Sequence, residues 1–378
     1  MFKMKIVQAQ YALLNGTLFF MQRLLFKKVE KEKNQIKKIL IFRNGSFGDT
    51  ICALPAIKNI WMYFPDAKID VMTNSGGENL VSLENIIDNS LVNEFINYLG
   101  ANKKVLAKKI RNKQYDLLIE LPQDQASFFS QMRNIFITKF IFNVPHAFGW
   151  EIGATKFFKK QQEKYVDFKD ERKRLLDILE KNNLICSKQE FPLNTTEQDI
   201  DLVDDLMRQN TLSDESKNIA FVVGSKRHSN RWPIAYFKEV AKHFSQKDFN
   251  IIIIGGKEDK PLAKQLMSVA KTYDFTGMLT PMQSAVMLKN CRVTLSNDTG
   301  PMHLSYSVET PVVAVFSARD YPNKWFPPEG NIVLRDNDIE CSVCFTETCT
   351  DNKCMKSITS EIVITYVEKL LQKSENIV

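Results

Sequence analysis

The chain has 378 residues, of which 44% are hydrophobic and 25% are charged. This composition is typical of a soluble globular protein, and the length is sufficient for two α/β domains. The formal net charge is +7, and residues 1–38, with nine basic and two acidic residues, account for all of it. Proteins that bind nucleic acid more often carry basic charge across their working face. We therefore expect no nucleic-acid partner.

Residues 1–37 are predicted to form a basic amphipathic N-terminal extension. They lack the apolar stretch and cleavage site of a signal peptide, and polar residues interrupt any membrane span. Apolar residues recur at helical spacing: Val7, Tyr11, Leu14, Leu18, Met21 and Leu25. With the basic residues that follow, up to residue 38, this stripe is compatible with membrane-surface contact through residues 1–38. It is equally compatible with a helix that packs on the protein's own core.

After this extension, strand and helix patterns alternate. Buried strands are predicted at residues 38–43, 68–73 and 116–120, and again, after a polar break at 191–196, at residues 218–223, 250–255, 291–296 and 311–316. Such alternation predicts parallel sheets with helices on both faces. We expect an α/β protein with two Rossmann-like doubly wound domains, residues 38–195 and 196–378, that face each other across a cleft. Ligands of such sheets bind at the carboxyl ends of the strands.

The loop after the first strand contains Asn44, Ser46, Gly48 and Asp49. Its glycine permits close backbone approach, and the N-terminus of the next helix offers free N–H groups to an anion. Asp49 would then place a carboxylate beside the ligand cleft. The alternative is purely structural, because Ser46-x-x-Asp49 fits a helix capping box.

A second candidate site is the sequence Asp298-Thr299-Gly300 with His303, which follows a strand and opens a helix. Thr299 and His303 are four residues apart and so share a helical face. Free N–H groups and the Thr299 hydroxyl suit a phosphate. The structural alternatives are that Asp298 caps the helix and that His303 is a core residue.

Two further loops follow strands of the second domain. One contains Ser225, Lys226 and Arg231, and its concentration of cations suits a diphosphate. The other contains Glu258, just after a glycine pair, where an acid can bind ribose hydroxyls. A solvated basic loop and a helix cap are the corresponding structural alternatives.

Several of these segments together resemble a known family. They are Ser46-Phe47-Gly48-Asp49, Ala53-Leu54-Pro55-Ala56-Ile57, Asp298-Thr299-Gly300-x-x-His303, Thr310-Pro311-Val312-Val313-Ala314-Val315-Phe316 and Trp325-x-Pro327. In order and separation they resemble glycosyltransferase family 9, the ADP-heptose:lipopolysaccharide heptosyltransferases. The similarity runs from about residue 38 to the C-terminus.

The resemblance implies a GT-B fold with the donor nucleotide sugar in the second domain and the acceptor on the first. It implies an inverting transfer, without metal or cofactor, of heptose from ADP-heptose to a lipopolysaccharide core or related lipid-linked glycan. Asp49 matches the proposed catalytic base, Thr299 and Gly300 match phosphate contacts, and Glu258 matches a nucleoside contact. The corresponding location is cytoplasmic, peripheral on the inner membrane face.

Two features depart from this pattern or lie outside it. Where the family often has a lysine, this chain has Asn230, so either Arg231 or Lys226 replaces the charge, or the donor differs. Four cysteines, which we call the cysteine cluster, have a spacing that can hold zinc: Cys341, Cys344, Cys349 and Cys354. We predict reduced thiols and no bound metal.

Two other functions remain open at this point. A nicotinamide-dependent oxidoreductase also contains Rossmann-like domains, but the first loop lacks the G-x-G-x-x-G pattern. A catalytically inactive glycan-binding scaffold is the other alternative, and the intact Asp49 and Asp298-Thr299-Gly300 argue against it.

Overall fold

The computed structural model describes residues 2–74, 81–161, 166, 168–184, 186, 189–212, 217–269 and 271–375. The chain divides into two compact units, Met1–Pro192 and Leu193–Val378. The boundary predicted from the sequence lies three residues further along, after residue 195.

The first unit contains a five-stranded parallel sheet in the order β3-β2-β1-β4-β5. Its strands are β1 (Lys38–Phe42), β2 (Lys68–Thr73), β3 (Glu94–Asn97), β4 (Leu117–Glu120) and β5 (His146–Phe148). The central strand β1 is a continuous apolar run, as expected for a parallel strand that is covered on both faces.

Six helices belong to this unit: α1 (Phe2–Leu25), α2 (Phe47–Tyr63), α3 (Lys103–Lys113), α4 (Phe128–Phe136), α5 (Ala154–Lys160) and α6 (Glu171–Glu180). Helix α4 continues into a π-helical turn, Ile137–Ile141. Helices α2 and α6 pack against each other. Helices α1, α3, α4 and α5 contribute to one hydrophobic cluster with alternate residues of the sheet, such as Leu40 and Leu118. These four helices therefore cover the same face of the sheet, and we call them the α1 layer.

The apolar stripe predicted at the N-terminus packs on the protein's own core. Leu18 is fully buried in the cluster, and Tyr11, Leu14 and Met21 pack against it. The Tyr11 hydroxyl also donates a hydrogen bond to the carbonyl of Ile152. Of the two interpretations of this stripe, burial in the core is the one that the structure shows. Within the described residues, no helix has the length and hydropathy needed to cross a bilayer.

The second unit contains a six-stranded parallel sheet in the order β11-β10-β9-β6-β7-β8. Its strands are β6 (Asn218–Val222), β7 (Asn250–Ile253), β8 (Thr272–Asp274), β9 (Val293–Asn297), β10 (Val312–Phe316) and β11 (Ile332–Arg335). Two parallel sheets with helices around them confirm the α/β class and the two Rossmann-like domains.

The helices of the second unit are α7 (Glu197–Gln209), α8 (Ile234–Gln246), α9 (Lys260–Leu266), α10 (Pro281–Lys289), α11 (Gly300–Ser307), α12 (Lys353–Lys356) and α13 (Ser360–Glu375). The last helix packs on α8, and its residues Val363 and Val367 are fully buried in the core of this unit. The indole N–H of Trp232 donates to the carbonyl of Ile358, which ties the segment before α13 to the start of α8.

Candidate active site

Asp49 lies in the first turn of α2, directly after the loop that leaves β1. Its Oδ2 accepts hydrogen bonds from the backbone N–H of Ser46 at 2.9 Å and from the Ser46 hydroxyl at 2.7 Å. Ser46 is exposed, whereas Asn44, Gly48 and Asp49 are half-buried. The capping role is therefore present, and it engages one of the two carboxylate oxygens.

Arg43 fixes the position of this turn. Its side chain is fully buried and donates to the Asp49 carbonyl at 2.7 Å and to the carbonyls of Leu121 and Pro122 at 3.3 Å. An ion pair at 3.6 Å joins it to Glu171, which is equally buried. The guanidinium thus ties the first turn of α2 to the end of β4 and to α6. Sequence inspection passed over Arg43, although a cation at the end of a buried strand requires partners.

Glu120 is a second buried charge that the sequence analysis missed. It is the last residue of β4, and it accepts hydrogen bonds from the side-chain amides of Gln131 at 2.9 Å and Asn134 at 3.1 Å. Burial raises the pKa of Glu120 to about 7, and these amide donors oppose the shift. The carboxyl group anchors the inner face of α4 to the sheet.

In the second unit the candidate residues gather at one edge of the sheet. Strand β9 lies between β10 and β6, and all three run parallel, so the loops after them meet at their carboxyl ends. The buried side chain of Asn297 accepts from the N–H of Trp232 and donates to the carbonyl of Val223, both at 2.9 Å. The Ser225 hydroxyl donates to the Asp298 carbonyl at 3.2 Å. The predicted Ser225 and Asp298 loops are therefore in direct contact.

Asn230, at the position of the family lysine, is almost completely buried. Its side-chain amide donates to Oδ2 of Asp298 at 3.1 Å and accepts from the Ser317 hydroxyl at 2.7 Å. The residue therefore links the loops that follow β6, β9 and β10 and does not extend toward solvent.

The carboxyl group of Asp298 lies in a mixed electrostatic environment. Burial raises its pKa to about 7, and the charge of Asp320 adds to this shift. The cations Arg227, Arg319 and Lys324 act in the opposite direction. Several charged groups of both signs therefore act on this one loop.

Thr299, Gly300 and His303 occupy the start of α11. Thr299 is the residue before the helix, with extended backbone, and Gly300 is its first residue. Both are half-buried. His303 is buried, with Nδ1 2.9 Å from the Tyr306 hydroxyl and its ring edge-on to Trp325. These contacts are those of the structural alternative for His303, and its part in ligand binding stays a prediction.

The two predicted cations of the loop after β6 have different surroundings. Arg231 is half-buried, and its Nε donates to the carbonyl of Ser225 at 2.8 Å. Lys226 is exposed. Of the two candidates for the missing lysine charge, Arg231 is the one whose side chain is held within the site, by the carbonyl of Ser225.

Glu258 follows the end of β7, and its contact with the nucleoside stays a prediction. The acid that packs against the strand ends is its neighbour Asp259. Glu258 is exposed, whereas Asp259 is buried and its Oδ2 accepts from the N–H of Gly256 at 3.0 Å. A Cβ at Gly224 would lie 2.0 Å from Oδ1 of Asp259. Only glycine permits this approach, and a sequence pattern does not reveal it.

The segment after β10 is a further part of the site that sequence reasoning missed. Ser317, Arg319 and Lys324 are all buried there. Arg319 donates to the carbonyl of Thr346 at 2.8 Å and to that of Phe345 at 3.0 Å, both within the stretch that carries the cysteine cluster. The rule that ligands bind at carboxyl ends of strands identifies this segment once β10 is recognised.

The cysteine cluster extends from the surface into the core. Cys341 and Cys344 are exposed and Cys354 is buried, and none of the cysteines forms a disulfide. Burial raises the pKa of the Cys354 thiol, with a further contribution from the other three thiols. Across the described ranges no three metal-ligating side chains are grouped as a metal site. The absence of a bound metal stays a prediction.

A cavity of about 310 Å³ lies elsewhere, in the first unit. Residues of α1, α6 and the segment after β5 line it, and it includes none of the predicted site residues. Among the polar residues that line it, Gln22 donates to Asn182 at 2.7 Å. The loops at the strand ends, with their charges and glycines, are therefore the stronger candidate for the chemistry.

Two Rossmann-like units, each with polar loops at the carboxyl ends of its central strands, are the architecture of the GT-B glycosyltransferases. A model of glycosyltransferase family 9 (heptosyltransferase) matches residues 104–355, which is more than half of the chain. The chain belongs to this family and is a glycosyltransferase. The family resemblance inferred from the sequence motifs is confirmed.

Individual relatives agree with this assignment. The chain is 27% identical, over 89% of its length and 99% of the relative's, to lipooligosaccharide heptosyltransferase 2 of Campylobacter jejuni. A family 9 glycosyltransferase structure from Veillonella parvula matches 89% of this chain and 97% of its own, with a TM-score of 0.70 and 21% identity. The Escherichia coli ADP-heptose lps heptosyltransferase II matches with a TM-score of 0.64 at 20% identity, covering 89% and 99% of the two chains.

Proposed function

We propose that this protein transfers heptose from ADP-heptose to a lipopolysaccharide core or related lipid-linked glycan, with inversion and without metal or cofactor. The names of the Campylobacter jejuni and Escherichia coli relatives support this donor and acceptor class. The observation that carries the proposal is the convergence of the Ser225, Asp298 and Ser317 loops at one sheet edge in a chain of this family.

The second unit would bind the donor. A nucleotide diphosphate requires fixed N–H donors and cations, and the edge of this sheet provides both kinds of group. Thr299 and Gly300 lie at the start of α11, where no side chain caps the helix, and Arg231 is held beside Ser225. These groups would stabilise the charge of the leaving diphosphate in place of a metal ion.

Asp49 would act as the general base on the acceptor hydroxyl. Its carboxylate is half-buried at the carboxyl end of the first sheet, and Ser46 holds one oxygen while Arg43 holds the backbone. A carboxylate fixed in this way removes the proton as the acceptor oxygen attacks the anomeric carbon. In this proposal the acceptor binds to the first unit and the donor to the second.

The acceptor class implies a location on the cytoplasmic side of a membrane, with the protein peripheral to it. The nicotinamide-dependent alternative has no support from the loop after β1, where Gly45-x-x-Gly48 stands in place of the dinucleotide pattern. The remaining alternative is an inactive glycan-binding scaffold.

The test is a donor screen with the purified full-length chain. ADP-heptose and a panel of other nucleotide sugars are offered with heptose-deficient lipopolysaccharide extract, with and without EDTA. We expect consumption of ADP-heptose, glycan extension and no effect of EDTA. Consumption of a different donor would overturn the sugar assignment, loss of activity in EDTA would overturn metal independence, and the absence of donor binding by calorimetry would favour the scaffold.

A further inference from the structure

The outer surface of the α1 layer has an unusual charge composition. Helices α1, α3, α4 and α5 and the π-helical turn after α4 together contain fourteen lysines and arginines and no aspartate or glutamate. At the margin of the layer Glu94 pairs with Lys109 and Lys113, and Asp70 with Lys113. From beneath the layer, Glu120 accepts hydrogen bonds from α4, and Asp124 accepts from the first N–H groups of α5. The neutral net charge of the chain beyond residue 38 therefore conceals a strong local separation of charge.

The same surface exposes large apolar side chains. In α4 and the following turn, Phe129, Arg133, Phe136 and Phe140 are spaced four, three and four residues apart and share the outer face. Phe129 is 83% exposed, and the Phe136 and Phe140 rings stack at 5.9 Å. The opposite face of α4 is buried, and Glu120 anchors it to the sheet. This aromatic stripe is therefore presented outward on a fixed helix.

Helix α1 adds a second apolar stripe to this surface. With one face in the core, it exposes Leu13, Phe20 and Leu24, each by about two thirds of its area. Helix α1 packs against α4, and both cover the same face of the sheet, so their outer faces point away from that sheet together. Soluble monomers rarely expose apolar side chains in this concentration unless they form an interaction site.

We propose that the outer face of the α1 layer is a membrane-docking surface for a bilayer that contains anionic lipid. Exposed phenylalanines and leucines insert into the boundary between headgroups and acyl chains, and the surrounding lysines and arginines attract the anionic headgroups. The absence of acids from these helices provides the charge complementarity that this partner requires. The surface differs from the stripe suggested by the sequence, which packs on the core, and it includes α3, α4 and α5 as well as α1.

The proposal does not depend on the transfer chemistry, and its test omits donor and acceptor. Full-length protein is sedimented with vesicles of phosphatidylethanolamine and phosphatidylglycerol, and separately with vesicles of phosphatidylcholine alone. We expect binding to the anionic vesicles that weakens as salt is added, because the charge attraction is screened. Equal binding to the phosphatidylcholine vesicles, or no binding to either, would overturn the proposal.

Substitutions separate the two contributions. The variant Phe129→Ser/Phe136→Ser/Phe140→Ser removes the aromatic stripe, and Lys104→Gln/Lys108→Gln removes exposed charge from α3. Each should weaken partitioning into anionic vesicles at least about tenfold, since both the apolar contact and each basic residue contribute to binding.

The matched control is Ile200→Ser/Leu202→Ser, which removes exposed apolar side chains from α7, a helix with five acids and one arginine. We expect its vesicle binding to equal that of the wild type. Unchanged binding of the phenylalanine variant with an unchanged melting temperature would refute the proposal. So would a concentration-dependent dimer that the phenylalanine substitutions abolish, because the surface would then be an interface between copies of the chain.

Discussion

The two roles of Asp49, helix cap and catalytic base, predict effects of different size. Asp49→Ala removes both roles, whereas Asp49→Asn retains a side chain of the same shape that cannot accept a proton at neutral pH. If Asp49 is the general base, we expect turnover to fall by about 10²–10⁴-fold in either variant. Donor affinity in the second unit should stay close to that of the wild type.

The structural cost of these substitutions can be estimated separately. The two hydrogen bonds from Ser46 to Oδ2 form one helix cap, whose loss costs about 0.5–2 kcal/mol. The loss of a negative charge in the first turn of α2 adds about 0.3–1 kcal/mol. A domain with about 5–15 kcal/mol of stability remains folded after such a loss. Loss of the cap therefore lowers the melting temperature slightly and does not explain a hundredfold loss of turnover.

The chain contains a matched control for this argument. At the start of α7, Oδ2 of Asp199 accepts from the N–H of Thr196 at 3.1 Å and from its hydroxyl at 2.8 Å, which repeats the geometry at Asp49. Asp199→Ala should therefore cost the same cap energy and leave turnover unchanged. The assay is single-turnover heptose transfer together with thermal denaturation of all three variants.

Two outcomes would refute the reasoning. Turnover of Asp49→Asn within about fivefold of wild type would exclude a general-base role, because loss of a base costs far more. An equal loss of turnover in Asp199→Ala would attribute the effect to stability alone.

Four further predictions concern stability and composition. The pKa of Glu120 is raised to about 7 in the folded state, whereas in the unfolded chain the group loses its proton near the ordinary pKa of glutamate. The folded state therefore binds more protons between these two values, so the free energy of unfolding should fall as pH rises from about 5 to 7. Glu120→Gln should flatten that fall in a melting-temperature series, and an unchanged series would contradict the burial argument. Asn230→Ala leaves the Ser317 hydroxyl and an Asp298 oxygen without this partner and should cost about 1–3 kcal/mol in urea denaturation. Deletion of residues 1–25 should expose the core beneath α1 and yield insoluble or partly unfolded protein; a soluble product with the wild-type melting temperature would show that α1 is dispensable. Elemental analysis of protein purified without chelator should find no stoichiometric metal, and one metal ion per chain would show that the cysteine cluster is a metal site.

The sequence was sufficient for the class of fold and for the family. The alternation of apolar runs and helices is a local property, and parallel sheets require it, so the central strands β1, β4, β6, β7, β9 and β10 were predicted close to their observed positions. The short strands β3, β8 and β11 and the lysine-rich helix α3 were missed. They lie at sheet edges or bury few residues, and half-exposed elements lack the apolar pattern that prediction uses.

Only the tertiary structure decided which residues are neighbours. The contact of Asn230 with Asp298 and Ser317 joins three loops that are far apart in the sequence. Arg43 anchors the turn that carries Asp49, although the sequence pattern gives Arg43 no such role. Glu258 and Asp259 are adjacent acids, yet the first is exposed and the second is buried. The N-terminal helix shows the same limit. The helical spacing of its apolar residues identified a stripe. That spacing does not specify whether the stripe packs on the core or on a partner, because this depends on the surface that the rest of the chain presents.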